Sequence, residues 1–506
     1  MELTPLPASF TVAPWRLSGV VYGALVNHTA QLAALGDAVH AAPYKAPPAH
    51  AVLQVRPRNT LCGPGSAVAV PADPGVVDVG VSLGIVIGRT ACRVAAEDAP
   101  GVVAGYLVAA ELGLPTESHY RPAVRLKARD GFTVLGPVVP AAEVDDPDQL
   151  ATWVQVDGEA RHQGSTAGRV RGVAELIAAV TEFMTLQPGD VLLLGADSPA
   201  PRAAAGTAVT LGIADLGSLS FSLVAEAVAA PALADPSPIG DGTQLAPRGA
   251  VARVAHAGAV HTAWPHPQGV QLADGRVLRE DEVQWLPPFE VGTILALGLN
   301  YADHVKELSK ELTVTAKDEP LVFLKGPGAL VGHRGLTRRP AGVAFMHYEC
   351  ELAVVIGKAA RHVAAKDAMA HVAGYTVCND YAIRDYLENW YRPNLRVKNR
   401  DGATALGPWF VPAADVPNPH ALTLRTLVNG QVTQQGSTAN MVNDIPALIE
   451  YLSEFMTLQA GDVILTGTPE GVVNVNEGDE VVCEIAGIGR LVNTIVGDAA
   501  FSVIPA

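Results

Sequence analysis

Cysteine is scarce and scattered: five residues (Cys62, Cys92, Cys350, Cys378, Cys483) in 506, with no CxxC pair. That excludes a disulfide framework and a zinc knuckle. Positive charge is also short, with 35 Lys and Arg against 51 Asp and Glu, a formal net charge of −16. A surface this acidic does not track nucleic-acid phosphates, although a locally basic pocket for small anions stays compatible with it. Long apolar runs are missing too. The hydrophobic stretches are short and broken by Gly or charge, so neither a membrane span nor a membrane partner is expected. The opening MELTPLPASFTVAPWRLSG has no basic start followed by an apolar run. A signal peptide is therefore not expected, and the protein is expected to be cytoplasmic.

What is present points to large cores and many turns. Apolar residues make up 49 % of the chain and charged residues 17 %, a balance that folds rather than staying disordered. The 49 Gly and 38 Pro favour short strands over long helices. The length suits two domains of about 200–250 residues.

The chain repeats itself. QGSTAGRVRGVAELIAAVTEFMTLQPGDVLLLG starts at Gln163, and QGSTANMVNDIPALIEYLSEFMTLQAGDVILTG starts at Gln435, 272 residues later. YRPAVRLKARDGFTVLGP at Tyr120 matches YRPNLRVKNRDGATALGP at Tyr391, and GIVIGRTACRV at Gly84 matches AVVIGKAARHV at Ala353. A period this long is a duplicated domain, not a solenoid unit. The expected layout is an N-terminal domain over 1–224, an Ala/Pro/Gly linker over 225–250 and a C-terminal domain over 251–506. The last opens with a small β-meander (ARVAHAG, AVHTAWPH, GVQLADGRVL). Each unit reads as mostly strands with one clear helix, DIPALIEYLSEFM in the second copy: a β-rich α+β fold. The duplication further predicts an intrachain pseudo-dimer, with further self-association compatible.

Candidate chemistry gathers in the second copy. In HYECELAVVIG, Glu349 and Glu351 are two apart, which on a strand puts both on one face. Two carboxylates on so apolar a strand are costly without a cation, and Asp380, ending VAGYTVCND, is a third. All-oxygen ligation favours Mg2+, Mn2+ or Ca2+ over Zn2+. Spacing alone leaves a divalent metal site and a solvated strand edge both open. In LGLNYADHVKEL, His304 and Glu307 sit at i, i+3, either a general acid/base pair or an ordinary exposed helix start. Lys325 lies in the apolar VFLKGPGAL, where an ammonium needs an anion. Lys398, with Arg384, Arg392 and Arg396 near it in sequence, fits an anion pocket or a plain surface. Thr468 in TGTPEGV lies on a Gly-bounded loop that reads equally as a ligand loop or a simple turn.

Taken together, GLNYADH, FLKGPGAL, HYECELAVVIG, NDYAIRD, KNRDGATALGPW, MVND and TGTPEGV resemble the fumarylacetoacetate hydrolase superfamily, in its order and over nearly all of 290–500. The resemblance implies two tandem mixed β-roll domains. It implies Glu349, Glu351 and Asp380 as metal ligands, with Mg2+ foremost. His304 and Glu307 become the catalytic dyad, joined by Lys325, while Arg384, Lys398 and Thr468 line the substrate site. The duplicated layout is similar to the members that degrade 4-hydroxyphenylacetate (homoprotocatechuate). That implies decarboxylation of 5-oxopent-3-ene-1,2,5-tricarboxylate and isomerisation of 2-hydroxyhepta-2,4-diene-1,7-dioate, both through a metal-stabilised dienolate. The substrate class is then a small multi-carboxylate 2-oxo acid, which accounts for basic residues in an acidic protein. Acylpyruvate C–C hydrolysis and 2-oxopentenoate hydration are the alternatives within the superfamily. An inactive metabolite-binding protein is the alternative outside it.

The first copy departs from the pattern. Aligning the copies puts Gly80 and Ser82 at Glu349 and Glu351, Glu111 at Asp380, Gln31 at His304 and Ala34 at Glu307. Lys325 falls near Val55 or Arg56, while Lys127 keeps the place of Lys398 and Arg121 survives in the YRP motif. The favoured expectation is a scaffold; metal-free isomerisation using Lys127, Glu111 and a basic wall is the other.

Overall fold

The computed structural model describes residues 19–226, 249–302 and 319–498. They form two compact units, the first of residues 19–226 with the short segments 388–395 and 455–457, the second of the remainder. The expected linker over 225–250 falls almost wholly outside the described residues. Among the described residues no helix is long and apolar enough to cross a membrane.

The repeat holds strand for strand. In the first unit the main sheet runs Val52–Arg56, Val21–Leu25, Val191–Leu193, Val76–Ile87, Val103–Gly113, Thr133–Leu135, Leu61–Cys62. In the second it runs Leu321–Lys325, Ile294–Gly298, Val463–Leu465, Cys350–Ile356, Val372–Asp380, Thr404–Pro412, Leu330–Val331. Each copy adds a five-stranded sheet of matching order, centred on Ala208–Ile213 in the first and on Glu480–Ile485 in the second. The sheets are mixed. Val21–Leu25 runs parallel to Val191–Leu193 while the long central hairpin is antiparallel.

Sequence pattern explains the layering. Cys350–Ile356 is buried at every position, so it reads as one apolar run with material on both faces. Ala151–Val156 buries alternate residues, Thr152, Val154 and Val156, the period of a strand with one face on the core. The helix Ile445–Ser453 buries Ile445, Leu448, Ile449 and Leu452, the i, i+3, i+4, i+7 stripe of a helix laid on a sheet. Asp444 caps it, its carboxylate accepting from Ala447 N–H at 3.0 Å. The equivalent helix, Val173–Thr181, begins after Gly172, which has no side chain to cap with. There Asp148 accepts from Val173 N–H at 2.9 Å, and Glu175 accepts from Gly172 N–H at 2.8 Å.

Two buried polar knots recur in both copies. Asn27 donates to the carbonyls of Arg171 and Leu194 and accepts from Arg171 N–H. Asn300 does the same with Asn443 and Thr466. Asp190 gathers the N–H groups of Val20 and Gln187, as Asp462 gathers those of Thr293 and Gln459. Each knot pins a loop to a strand end by satisfying groups that burial leaves no other partner.

The expected β-meander is a separate five-stranded sheet in which Ala252–His256, Ala259–His266, Gly269–Leu272 and Val277–Leu278 pair in sequence. It is closed by Gln284–Leu286, a strand the sequence reading did not include. Trp285 of that strand packs edge-on against His333 at 4.8 Å. His333 is buried, and its Nδ1 accepts from Val492 N–H at 3.1 Å, so the ring is held neutral there. Burial pushes its pKa down to about 4, against the pull of Glu280. A depressed histidine stabilises the fold in full above its unfolded value of about 6.5 and loses that contribution as pH falls toward 4. Denaturant unfolding at stepped pH is expected to show a loss of up to about 3 kcal/mol across that window. His333→Asn, which keeps an acceptor, is expected to flatten the slope.

Candidate metal centre and active site

Two neighbouring strands build the centre. Glu349 immediately precedes the strand Cys350–Ile356, Glu351 is its second residue, and Asp380 ends the partner strand Val372–Asp380. Asp380 N–H donates to the Glu349 carbonyl at 2.9 Å, which sets the two residues side by side. One carboxylate oxygen from each of Glu349, Glu351 and Asp380 lies within 4.8 Å of the others. Glu351 and Asp380 are fully buried, while Glu349 is only partly so. The cluster therefore has a closed back and one open side.

The backbone fixes the carboxylates. Glu351 Oε2 accepts from Gly467 N–H at 2.7 Å. Gly467 has φ of +86°, a conformation in which glycine carries no steric penalty, and a Cβ there would press on Asn300 Cβ at 3.1 Å. Glu349 N–H donates to Asn379 Oδ1 at 3.1 Å.

Two lysines enter the cluster. Lys325 Nζ donates to Asp380 Oδ1 at 2.5 Å and to the Lys398 carbonyl. Lys398 Nζ meets Glu349 Oε2 at 2.7 Å and Asp380 Oδ2 at 2.9 Å. Burial would lower the Lys398 ammonium, but Asp380 and then Glu349 outweigh it and push its pKa up. Burial lowers that of Lys325 even with Asp380 against it, and Lys398 adds to the fall. Glu351 is pushed well above the usual carboxylate range, by burial first and then by Asp380 and Glu349. The two ammonium groups leave one of the three carboxylates uncompensated. A hard divalent cation fits such an all-oxygen set and supplies the missing charge.

Of the residues expected from sequence, Lys325, Glu349, Glu351, Asp380 and Lys398 come together in one cluster. Arg384 joins through an intermediary: its Nε donates to His347 Nε2 at 2.9 Å, while His347 Nδ1 lies 3.1 Å from the Tyr348 carbonyl and 3.6 Å from Glu349 Oε1. Because Nε2 accepts, the ring proton sits on Nδ1, where the Tyr348 carbonyl is the nearer acceptor and Glu349 Oε1 the farther one. Thr468 is buried beside Gly467, its hydroxyl accepting from Gln434 Nε2 at 3.0 Å. His304 and Glu307 lie outside the described residues. The sequence reading missed His347 and Gln434. His347 stands in the quoted HYECEL motif, and its i, i+2 spacing to Glu349 was the available signal. Gln434 had none, because it comes from a distant hairpin.

Comparisons with known proteins give the family. The family model "Fumarylacetoacetate (FAA) hydrolase C-terminal" matches twice, over residues 20–224 and 293–496. A protein of Salmonella dublin, the 4-hydroxyphenylacetate degradation bifunctional isomerase/decarboxylase, is 44 % identical over 480 residues, 95 % of this chain and 99 % of its own length. The Escherichia coli homoprotocatechuate catabolism bifunctional isomerase/decarboxylase is 42 % identical over 482 residues, 95 % of this chain and 99 % of its own. Among solved structures, the 5-carboxymethyl-2-hydroxymuconate delta-isomerase from Mycobacterium smegmatis is 36 % identical, covering 49 % of this chain and 99 % of its own, with a TM-score of 0.43. The chain belongs to the fumarylacetoacetate hydrolase family, which it carries twice over.

Proposed function

We propose that the chain is a divalent-metal-dependent decarboxylase and isomerase. In this reading it decarboxylates 5-oxopent-3-ene-1,2,5-tricarboxylate and isomerises 2-hydroxyhepta-2,4-diene-1,7-dioate in 4-hydroxyphenylacetate breakdown. The observation that carries it is the buried trio of Glu349, Glu351 and Asp380, in a chain 44 % identical along 95 % of its length to a bifunctional isomerase/decarboxylase. In this reading the three carboxylates hold Mg2+, and a bound ion supplies Lewis acidity to a 2-oxo acid.

The chain's own residues supply the rest. Lys398 holds Glu349 and Asp380 in place from between them. Lys325 neutralises Asp380 from the closed side. The Arg384–His347 pair orients Glu349 from its open side, the outer support that ligating carboxylates need. Arg384, Lys398 and Thr468 are assigned to the carboxylate-bearing substrate, and Lys325 to the catalytic set with His304 and Glu307 as the proton-transfer pair. The domain limits 1–224 and 251–506, an intrachain pseudo-dimer and a cytoplasmic location belong to the same proposal.

The test is turnover of the tricarboxylate, followed by CO2 release and diene absorbance, with Mg2+ and then with EDTA. Release is expected only with metal and is expected to fall more than about a hundredfold in Glu349→Ala, since even outer-shell partners cost ten- to a hundredfold. A metal-loaded protein that releases no CO2 overturns the assignment in favour of acylpyruvate hydrolysis or hydration. Separately, Mg2+ at about a hundred times its Kd is expected to stabilise the fold by about 2.7 kcal/mol, read as a rise in Tm that EDTA reverses. His347→Gln is expected to weaken that metal response by about ten- to a hundredfold in affinity.

A further inference from the structure

The first copy keeps the strands of the site and inverts its charge. Strand register settles the equivalences. Val21 pairs with Arg56 and with Val191, as Ile294 pairs with Lys325 and with Val463. Arg56, not Val55, therefore stands where Lys325 does. Gly80 lies opposite Glu111, as Glu349 lies beside Asp380. Lys127 and Lys398 each end a one-turn helix, Val124–Lys127 and Leu395–Lys398.

A metal does not fit this version. Ser82 replaces Glu351, and its hydroxyl accepts from Gly195 N–H at 3.1 Å, the bond that Glu351 makes to Gly467. At Gly80 a Cβ would stand 2.4 Å from Ala196 Cβ, so the room for a second carboxylate is filled. Where the second copy sets three carboxylates against two ammonium groups, the first sets Glu111 against Arg56 and Lys127. One site is short of positive charge; the other has one positive charge to spare.

The spare valences are specific. Arg56 Nη2 meets Glu111 Oε2 at 3.0 Å, and Gln54 Nε2 donates to the same oxygen at 3.4 Å. Arg56 Nη1 donates to the carbonyls of Leu112 and Lys127. Among the described residues Arg56 Nε and Glu111 Oε1 have no partner, on residues 3 % and 7 % exposed. Such orphaned groups are costly when nothing fills their place. Lys127, half-buried along Gly113, makes no ion pair among the described residues. Burial, and then Arg56, push its pKa down to about 8. The next carboxylate, Asp78, is already held by Arg202 at 3.0 Å.

We propose that this is a second, metal-free ligand site for a small 2-hydroxy carboxylate. The carboxylate lies against Lys127 and the unpartnered, buried Nε of Arg56, and the hydroxyl donates to Glu111 Oε1. The match is chemical: the site offers one spare cation, one spare donor edge and one spare acceptor. It does not depend on the reaction proposed for the second copy.

The experiment titrates the full chain, in EDTA, with L-malate and with succinate, which differ by the 2-hydroxyl. One malate per chain is expected, with succinate binding several-fold more weakly. Lys127→Met is expected to weaken malate more than about tenfold, the size of a charge-assisted contact; Lys127→Arg and the exposed-site control Lys366→Met are expected to keep it. On the unmodified chain, malate is expected to slow acetylation of Lys127 and not that of exposed Lys366, read by peptide mass. This arm decides the matter where Lys127→Met does not fold. Absence of saturable malate binding, malate binding indifferent to Lys127→Met, or absence of Lys127 protection overturns the site.

Discussion

The cost of burying like charges governs this molecule. Glu351 and Asp380 are fully enclosed and Glu349 is partly so, an arrangement that water alone does not sustain. Everything around them answers that cost. Lys325 and Lys398 reach in from separate elements, Gly467 gives up its side chain to bring an N–H close, and Arg384 acts through His347 to steady the carboxylate nearest solvent. The second copy's strands are best understood as the frame that makes this crowding repeatable.

The first copy shows the same frame relieved of that demand. Its sheet order, its Asn27 knot and its Asp190 clasp are those of the second copy, so the architecture does not need the carboxylates. Glu111 and Arg56 form one tight pair where the second copy pairs Asp380 with Lys325; the acid is one methylene longer and a guanidinium replaces the ammonium.

Much of this was legible in sequence because it is carried by local pattern. The unbroken apolar run after Glu351 announced a strand buried on both faces, and the spacing of Glu349 and Glu351 put both on one side of it. Asp380 was legible as the polar end of VAGYTVCND. Distant partners were not legible. That Lys325 meets Asp380, or that Gln434 holds Thr468, depends on which strands lie side by side. The ambiguity between Val55 and Arg56 had the same origin: a shift of one residue turns a strand's side chains to the opposite face, and only register decides it. His347 had a signal, its i, i+2 spacing to Glu349, but the partner that gives it a role, Arg384, lies on another segment.

The contact between Gly80 and Ala196 acts as a ratchet on the history of the chain. A side chain at position 80 would meet Ala196 Cβ at 2.4 Å, so a glutamate there needs the segment that carries Ala196 to move. Ser82, satisfied by the N–H that once suited a carboxylate, adds a second tooth. No single codon change leads back to a metal-binding first half. The two halves are free to diverge in chemistry while remaining bound to one backbone plan, and the first does not readily come to duplicate the carboxylate cluster of the second.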